Sequence, residues 1–141
     1  MQRFVRWGPP LLWMALIFLL SAQPGLRISD DAGVDGPVRH VAHVLAYAVL
    51  AVLLQRALAT EPRRGALRVR GRSSASSTLL AVMLATLYGV TDELHQGFVP
   101  DRSGNPFDVV LDLVGAIGGV VAVWLVSRSG RRKGRSATKR G

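Results

Sequence analysis

The chain has 141 residues, 49% of them hydrophobic, with a formal net charge of +9 and no cysteine. A soluble domain usually carries its charged residues spread over its surface. Here fifteen of the 18 Lys and Arg residues fall in three stretches of the sequence, and eight of the nine acids fall in the two stretches between them. Apolar runs separate these basic and acidic stretches. The lack of cysteine excludes disulfides and thiolate metal sites, and the basic stretches, which lack interleaved aromatic residues, indicate anionic lipid rather than nucleic acid as their partner.

The first apolar segment is predicted to run from Trp7 to Ala22, after a short basic start. It is slightly shorter than the ~20 residues that cross a bilayer comfortably. Pro9 and Pro10 are expected in its first turn, where proline is tolerated. A cleavable signal peptide is the competing interpretation, but bulky Leu20 lies where a small residue is preferred, so we favour a retained anchor.

The second and third apolar segments are predicted to span residues 38–58 and 78–96. The loop between them contains one acid, Glu61, among many arginines and is therefore expected in the cytoplasm. Several serines precede the third helix as possible N-caps, and Gly97 is its predicted stop signal. These serines are Ser73, Ser74, Ser76 and Ser77.

The fourth helix has a clear predicted start. Asn105 is a good N-cap, Pro106 fits the first helical position, and Asp108 falls at the third. The helix is expected to end near Ser127, before a basic tail. The sequence therefore predicts an all-α integral membrane protein with four transmembrane helices and both termini cytoplasmic, divided into a membrane domain (residues 1–127) and a disordered basic tail (residues 128–141).

Polar residues are grouped at the predicted outer ends of helices two, three and four. His43 and Asp112 each lie about 7 to 9 Å inside the outer boundary at 1.5 Å per residue. Charged groups at this depth are costly against lipid and are expected to face the bundle interior. Gly115 and Gly119 form a small-xxx-small pattern that would let a neighbouring helix approach closely. We therefore expect a small polar pocket that opens to the outside.

Most of these residues also have a purely structural interpretation. Asp108 can act as an acid facing the helix dipole, and Asp92 and Glu93 can be interfacial charges, although the C-terminal end of a helix disfavours acids. His43 can serve as an interhelical hydrogen-bonding group. Asp112 is the hardest to explain structurally, because it lies beyond the capping turn.

A metal site and an anion site are both chemically reasonable. Imidazole and carboxylate groups from His43, Glu93, His95 and Asp108 are common metal ligands, but no pair has a diagnostic spacing, so the metal is left open. Arg102 can hold a phosphate or carboxylate, or pair with a neighbouring acid. No cofactor is expected, and the chain has none of the common hydrolase motifs HExxH and GxSxG.

The segment YGVTDELHQGFVPDR (residues 88–102), followed by Asp108 and Gly115 and preceded by His43 and Tyr47, resembles the VanZ-like family over about residues 38–125. The resemblance implies a small multi-pass protein of the bacterial inner (cytoplasmic) membrane. The founding member is associated with low-level resistance to the glycopeptide teicoplanin. Asp112 stands where asparagine is frequent, and His40 where lysine is frequent.

Three functional hypotheses follow, with the oligomeric state left open. The chain is an enzyme acting on an envelope lipid or lipid-linked precursor, a non-catalytic binder of such a ligand, or a structural partner of another membrane protein. Buried carboxylates and histidine suit general acid–base catalysis. The catalytic candidates are His43, Asp92, Glu93, Gln96, Asp108 and Asp112. The substrate-binding candidates are Tyr47, Tyr88, His95 and Arg102.

Overall fold

The described part of the chain is entirely helical. The computed structural model describes residues 2–24, 32–59, 75–100, 102 and 104–137, and over these residues it contains helices but no strand, which confirms the predicted all-α class. The helices are α1 (Gln2–Ser21), α2 (Ala32–Leu58), α3 (Ala75–Gln96) and α4 (Pro106–Ala137).

Three of these helices are long and apolar enough to cross a membrane. The apolar stretches are Val34–Leu58, Ala75–Gln96 and Pro106–Ser129, with 25, 22 and 24 residues. The apolar part of α1, Val5–Ser21, is shorter. At 1.5 Å per residue it covers about 26 Å, a little less than the ~30 Å of a typical hydrocarbon layer. The fourth crossing and the orientation of the termini therefore remain predictions.

The bundle places small residues inside and large apolar residues outside. Ala51, Ala81, Ala85 and Ala116 are fully buried, whereas leucines along α3 such as Leu87 are largely exposed. This distribution suits a lipid environment, because lipid solvates large apolar side chains while small residues let helices approach closely.

The closest helix contact joins α2 and α4. A Cβ atom at Gly115 would lie 2.9 Å from the Cα atom of Val44, and a Cβ atom at Gly119 would lie 2.9 Å from the Cα atom of Ala48. Only glycine permits this approach, so the predicted packing role of the glycine pair is confirmed. Helix α3 packs against both α2 and α4, and α1 packs mainly against α2.

Helix α1 begins earlier than predicted. Because it starts at Gln2 rather than at Trp7, Pro9 and Pro10 lie inside the helix and not in its first turn. That prediction was wrong because the two prolines resemble a helix start in sequence, whereas the preceding residues continue the helix. Proline has no N–H, so the carbonyl groups four residues earlier lose their intrahelical partners.

Polar groups fasten α1 to the other helices along its length. The guanidinium of Arg6 donates to the carbonyl oxygen of Ala57 at 2.8 Å and also to that of Ala59, at the C-terminal end of α2. The indole nitrogen of Trp13 donates to the carbonyl oxygen of Ala46 at 2.9 Å. The two Arg6 contacts satisfy carbonyl groups that would otherwise be left without partners at the end of α2, and the Trp13 contact adds a second acceptor bond in the middle of that helix.

The other helices also differ from prediction at their boundaries. Helix α2 begins at Ala32 rather than Val38, α3 begins at Ala75, and α4 continues to Ala137 rather than ending near Ser127. Arg and Lys favour helix almost as strongly as Leu does, so a basic composition does not by itself end α4. The helix thus crosses the boundary between residues 1–127 and 128–141, a division that stays a prediction. Ser73, Ser74, the Arg-rich loop and residues 138–141 lie outside the described residues.

Candidate functional site

A group of buried polar side chains lies at the end of the bundle where α2 and α4 begin and α3 ends. The carboxyl groups of Asp92, Glu93, Asp108 and Asp112, together with the imidazole of His43, are called the carboxylate cluster below. The exposed fractions of the four acids are 4%, 6%, 1% and 0%. Burying charge on this scale is costly, so the partners of each group decide what the cluster can do.

The start of α4 is set by local capping, which aims two acids into the bundle. The side-chain oxygen of Asn105 accepts a hydrogen bond from the N–H of Phe107 at 3.1 Å, and the N–H of Asp108 donates to the carbonyl oxygen of Asn105 at 2.8 Å. The predicted N-cap is therefore confirmed. One turn later, Asp112 follows Asp108 on the same face of the helix.

His43 on α2 is paired with Asp112 on α4. The Nδ1 atom of His43 lies 2.9 Å from Oδ1 of Asp112, which confirms that the two side chains meet at one depth. Gly89 on α3 makes room for this pair, since a Cβ atom there would lie 2.5 Å from Oδ2 of Asp112. That second oxygen is buried and has no hydrogen-bond partner.

Asp108 is surrounded by cationic or potentially cationic groups from α2. One carboxylate oxygen lies 3.4 Å from Nη2 of Arg39, and the other lies 3.6 Å from Nε2 of His40. Neither oxygen has a hydrogen-bond partner, although the side chain is almost fully buried. The side chain of Asp108 thus contacts cationic groups of α2 and also lies near the positive end of the α4 dipole.

Asp92 is held by donors from α1 and from its own helix. The hydroxyl of Ser21 donates to Oδ1 of Asp92 at 2.5 Å, and the side-chain amide of Gln96 donates to Oδ2 at 3.0 Å. Ser21 is itself buried at the end of α1. The polar cluster is therefore also contacted by a group from the first helix, which no sequence pattern indicates.

Gln96 connects Asp92 to Glu93 and to Arg102. Its amide also lies 3.3 Å from Oε1 of Glu93, and its carbonyl oxygen accepts from Nη1 of Arg102 at 3.3 Å. The other oxygen of Glu93 accepts the backbone N–H of Asn105 at 2.6 Å. Arg102, which is partly exposed, thus reaches the cluster through Gln96.

The two tyrosines lie deeper in the bundle, below the cluster. The ring of Tyr47 is stacked on His43 with centroids 6.3 Å apart, and the ring of Tyr88 lies 6.4 Å from that of Tyr47. The Tyr47 hydroxyl is buried without a hydrogen-bond partner, whereas the Tyr88 hydroxyl donates to the carbonyl oxygen of Met14 at 2.7 Å. Tyr88 therefore ties α3 to α1, and Tyr47 has a free hydroxyl beneath the histidine.

His95 is separated from the other candidates. Its ring stacks on Phe18 of α1 with centroids 4.5 Å apart, and its Nε2 atom has no hydrogen-bond partner. Of the four predicted metal ligands, His95 is therefore not grouped with the others. Among the described residues, the ligand atoms that lie within 4.8 Å of one another come from the remaining trio, His43, Glu93 and Asp108.

Three contributors were missed from the sequence, and two of them had a usable signal. Arg39 lies four residues before His43, and Gly89 lies three residues before Asp92, so each shares a helix face with a residue that was identified. Ser21 had no comparable signal, because one serine at the end of an apolar segment is common. Its role appears only when α1 is packed against α3.

The cluster combines proton-accepting groups with a shortage of hydrogen-bond donors. Five side-chain atoms of the described residues are buried without a hydrogen bond, and three of them are carboxylate oxygens of Asp108 and Asp112. Buried polar atoms are normally satisfied. The arrangement is therefore chemically suited to exchange protons or to bind a cation.

Comparison with known proteins agrees with the resemblance in sequence. No curated protein and no solved structure matches the chain. The sequence model of one family, described as VanZ/LLP1, matches residues 7–127. This range includes most of α1, all of α2 and α3, most of α4 and every member of the carboxylate cluster. The chain therefore belongs to the VanZ/LLP1 family.

Proposed function

We propose that this protein acts on a cell-envelope lipid or lipid-linked precursor at the outer face of the bacterial cytoplasmic membrane, with the carboxylate cluster as its site. The observation that carries the proposal is the burial of four acids beside His43 at one end of a membrane bundle. An acid at the centre of a transmembrane helix costs about 3 kcal/mol on insertion scales, and the cost is smaller but still unfavourable nearer the helix ends, where these four acids lie. Stability alone does not explain keeping four of them together.

The charge pattern supports placing this end outside. The helix ends remote from the cluster adjoin the basic stretches of the sequence, and basic loops stay in the cytoplasm. With α1 as a fourth crossing, both termini lie inside. A headgroup of the outer leaflet then has the shortest path to the cluster.

The contacts of each residue suggest its role. Glu93 or Asp92 serves as the general base, with His43 as its partner, because His43 and Glu93 have donor atoms within 4.8 Å of each other, close enough for a bound substrate or a water molecule to connect them. Asp108 and Asp112 orient these groups, and Gln96 holds the two acids of α3 at 3.0 and 3.3 Å. Arg102 is partly exposed and binds an anionic headgroup.

The remaining candidates lie around these groups, with the two tyrosines below the cluster and His95 beside Phe18 of α1. Tyr47 offers a hydroxyl without a partner, and His95 offers a free ring nitrogen. Tyr88 contributes its ring, since its hydroxyl is already bonded to α1. All three are proposed as substrate-binding residues, with no role in proton transfer.

The test is mass spectrometry of total envelope lipids from a deletion strain complemented with wild type, with Glu93→Gln or with Thr91→Val, at matched expression. Glu93→Gln nearly preserves size but removes proton transfer. Thr91 is an exposed residue of the same helix whose hydroxyl donates to the carbonyl oxygen of Tyr88, one turn earlier. An enzyme gives one lipid species that changes in both the deletion and the Glu93→Gln strain but not in the Thr91→Val strain.

An unchanged lipid profile in all these strains would refute the catalytic proposal. The alternative is then a non-catalytic binder of an envelope ligand, or a structural partner of another membrane protein. Alanine at His43, Glu93 and Arg102 separates these two. A binder loses its phenotype, for which teicoplanin susceptibility is the first to measure in view of the family resemblance, whereas a structural partner keeps it at normal abundance.

A further inference from the structure

We propose that His43, Glu93 and Asp108 bind a divalent transition-metal ion, for which Zn²⁺ is the test ion. The three residues come from α2, α3 and α4, and each offers a donor atom within 4.8 Å of the others. Glu93 and Asp108 are buried and His43 is half-buried. All three ligands thus lie on helices at the same end of the bundle, and none comes from a loop.

The state of Asp108 is the independent observation that points to a bound cation. Its side chain is 1% exposed, and neither oxygen accepts a hydrogen bond. The ion-pair partners, Arg39 and His40, lie at 3.4 and 3.6 Å, beyond ordinary hydrogen-bond distance. A buried carboxylate normally accepts several hydrogen bonds, and coordination to a metal satisfies the same lone pairs.

The orientation of His43 also fits a metal ligand. Its Nδ1 atom is hydrogen-bonded to Asp112 at 2.9 Å, so Nε2 is the ring nitrogen left for coordination. A metal-binding histidine almost always donates its other N–H to a carboxylate or a carbonyl group, which fixes the ring and raises its basicity. Asp112 takes this position, and Gly89 leaves the space for it.

The charge balance favours a divalent ion. Four carboxylates of the described residues are buried here, with the guanidinium of Arg39 in direct contact with Asp108 and that of Arg102 reaching the group through Gln96. When all four carboxylates are ionised and the imidazoles are neutral, four negative and two positive charges leave −2, which is the state that a bound cation favours. Uncompensated charge is costly at this depth, and one divalent ion neutralises it.

The donor types select the class of metal. Calcium and magnesium prefer oxygen ligands throughout, whereas one imidazole with two carboxylates suits zinc or a related first-row ion. Nitrogen and oxygen ligands lie about 2.0 to 2.2 Å from zinc. The ligand atoms of the trio, which are up to 4.8 Å apart, must therefore move closer together when the ion binds. A fourth position stays open for water or for a ligand oxygen, as in catalytic zinc sites.

The first experiment measures bound metal. The full chain with a histidine-free affinity tag is purified in mild detergent, supplied with zinc, desalted and analysed by elemental mass spectrometry. We expect about one zinc per wild-type chain and at least a tenfold loss in Asp108→Asn and in His43→Gln. His95→Gln is the matched control, because it removes an imidazole that stacks on Phe18 outside the trio, and it should keep the wild-type zinc content.

A second measurement keeps the inference testable even if a variant folds poorly. Chelator-stripped wild type should melt at a lower temperature than the zinc-loaded protein, since an ion that binds only the folded state stabilises it. Asp112→Asn keeps all three ligands and should bind zinc about 10 to 100-fold more weakly, as for other groups that orient a ligand. Wild type without bound zinc, or with a melting temperature that zinc does not change, would overturn the proposal.

The metal site and the proposed function depend on the same cluster, but different results would refute each of them. Zinc binding with an unchanged lipid profile would leave the metal site standing and remove the catalytic role. A lipid change that depends on Glu93 in a protein that binds no zinc would do the opposite. The two assays are therefore run on the same set of variants.

Discussion

The contact between α2 and α4 allows a quantitative prediction about Gly115 and Gly119. In the double variant Gly115→Ala/Gly119→Ala, each new Cβ atom would lie 2.9 Å from a Cα atom of α2. Ordinary carbon–carbon contacts are about 3.5 to 4.0 Å, so the helices must separate by at least about 0.6 Å. The Asp112–His43 bond, 2.9 Å long, would stretch to about 3.5 Å, where a hydrogen bond is largely lost.

The expected loss of stability follows from two opposing contributions. Overpacking costs about 1 to 3 kcal/mol per site, and replacing glycine by alanine in a helix gains up to about 1 kcal/mol. With about 2 kcal/mol of overpacking against the full gain of about 1 kcal/mol at each of the two sites, the double variant loses about 2 kcal/mol of unfolding free energy. Gly118→Ala is the matched control, because a Cβ atom there meets nothing within 4 Å, so it should be at least as stable as wild type.

The assay is unfolding by dodecyl sulfate in mixed micelles, followed by tryptophan fluorescence. Three tryptophans contribute to this signal, and the contribution of Trp13, which donates to the Ala46 carbonyl group, reports the packing of α1 on α2. The double variant should unfold at a lower sulfate fraction than Gly118→Ala. Equal midpoints for the two would refute the close approach of α2 and α4 as the feature that sets the position of Asp112.

Three further substitutions test other parts of the bundle. Gly89→Ala should displace the carboxylate of Asp112 and lower the melting temperature relative to Gly118→Ala, and a melting temperature equal to that control would contradict the contact. Asn105→Ala removes the cap of α4 and should cost about 1 kcal/mol in the same unfolding assay, with Asn105→Ser as the conservative rescue. Arg6→Met leaves carbonyl groups at the end of α2 without donors, so it should speed backbone amide exchange in the last turn of α2, while unchanged exchange would exclude a capping role.

Local signals predicted the parts of the fold that depend on neighbouring residues. Asn105 caps α4 because the side chain and its N–H partner are two residues apart. The common depth of His43 and Asp112 was predicted by counting residues from the helix ends, whereas their direct pairing was not predicted and appears only in the packed bundle. The small-residue pattern at Gly115 likewise needs no tertiary information.

Long-range features could not be predicted in the same way. The bond from Ser21 to Asp92 depends on how α1 packs on α3, and the Phe18–His95 stacking depends on the same packing. Helical periodicity places His95 near Asp92 but does not say which neighbouring helix faces it. The start of α1 was misplaced for a local reason, because Pro9 and Pro10 are as compatible with a kinked helix interior as with a first turn.

The pairing of His43 with Asp112 also constrains the order in which the protein can assemble in the membrane. The two residues are 69 positions apart in the chain, so α2 enters the bilayer well before its carboxylate partner is synthesised. Until α4 arrives, the imidazole lacks Asp112 and Glu93 lacks the N–H of Asn105, so both are without partners that offset their cost in lipid. An incomplete chain thus exposes unmet polar groups within the bilayer, which is a feature that membrane proteases could use to remove truncated copies.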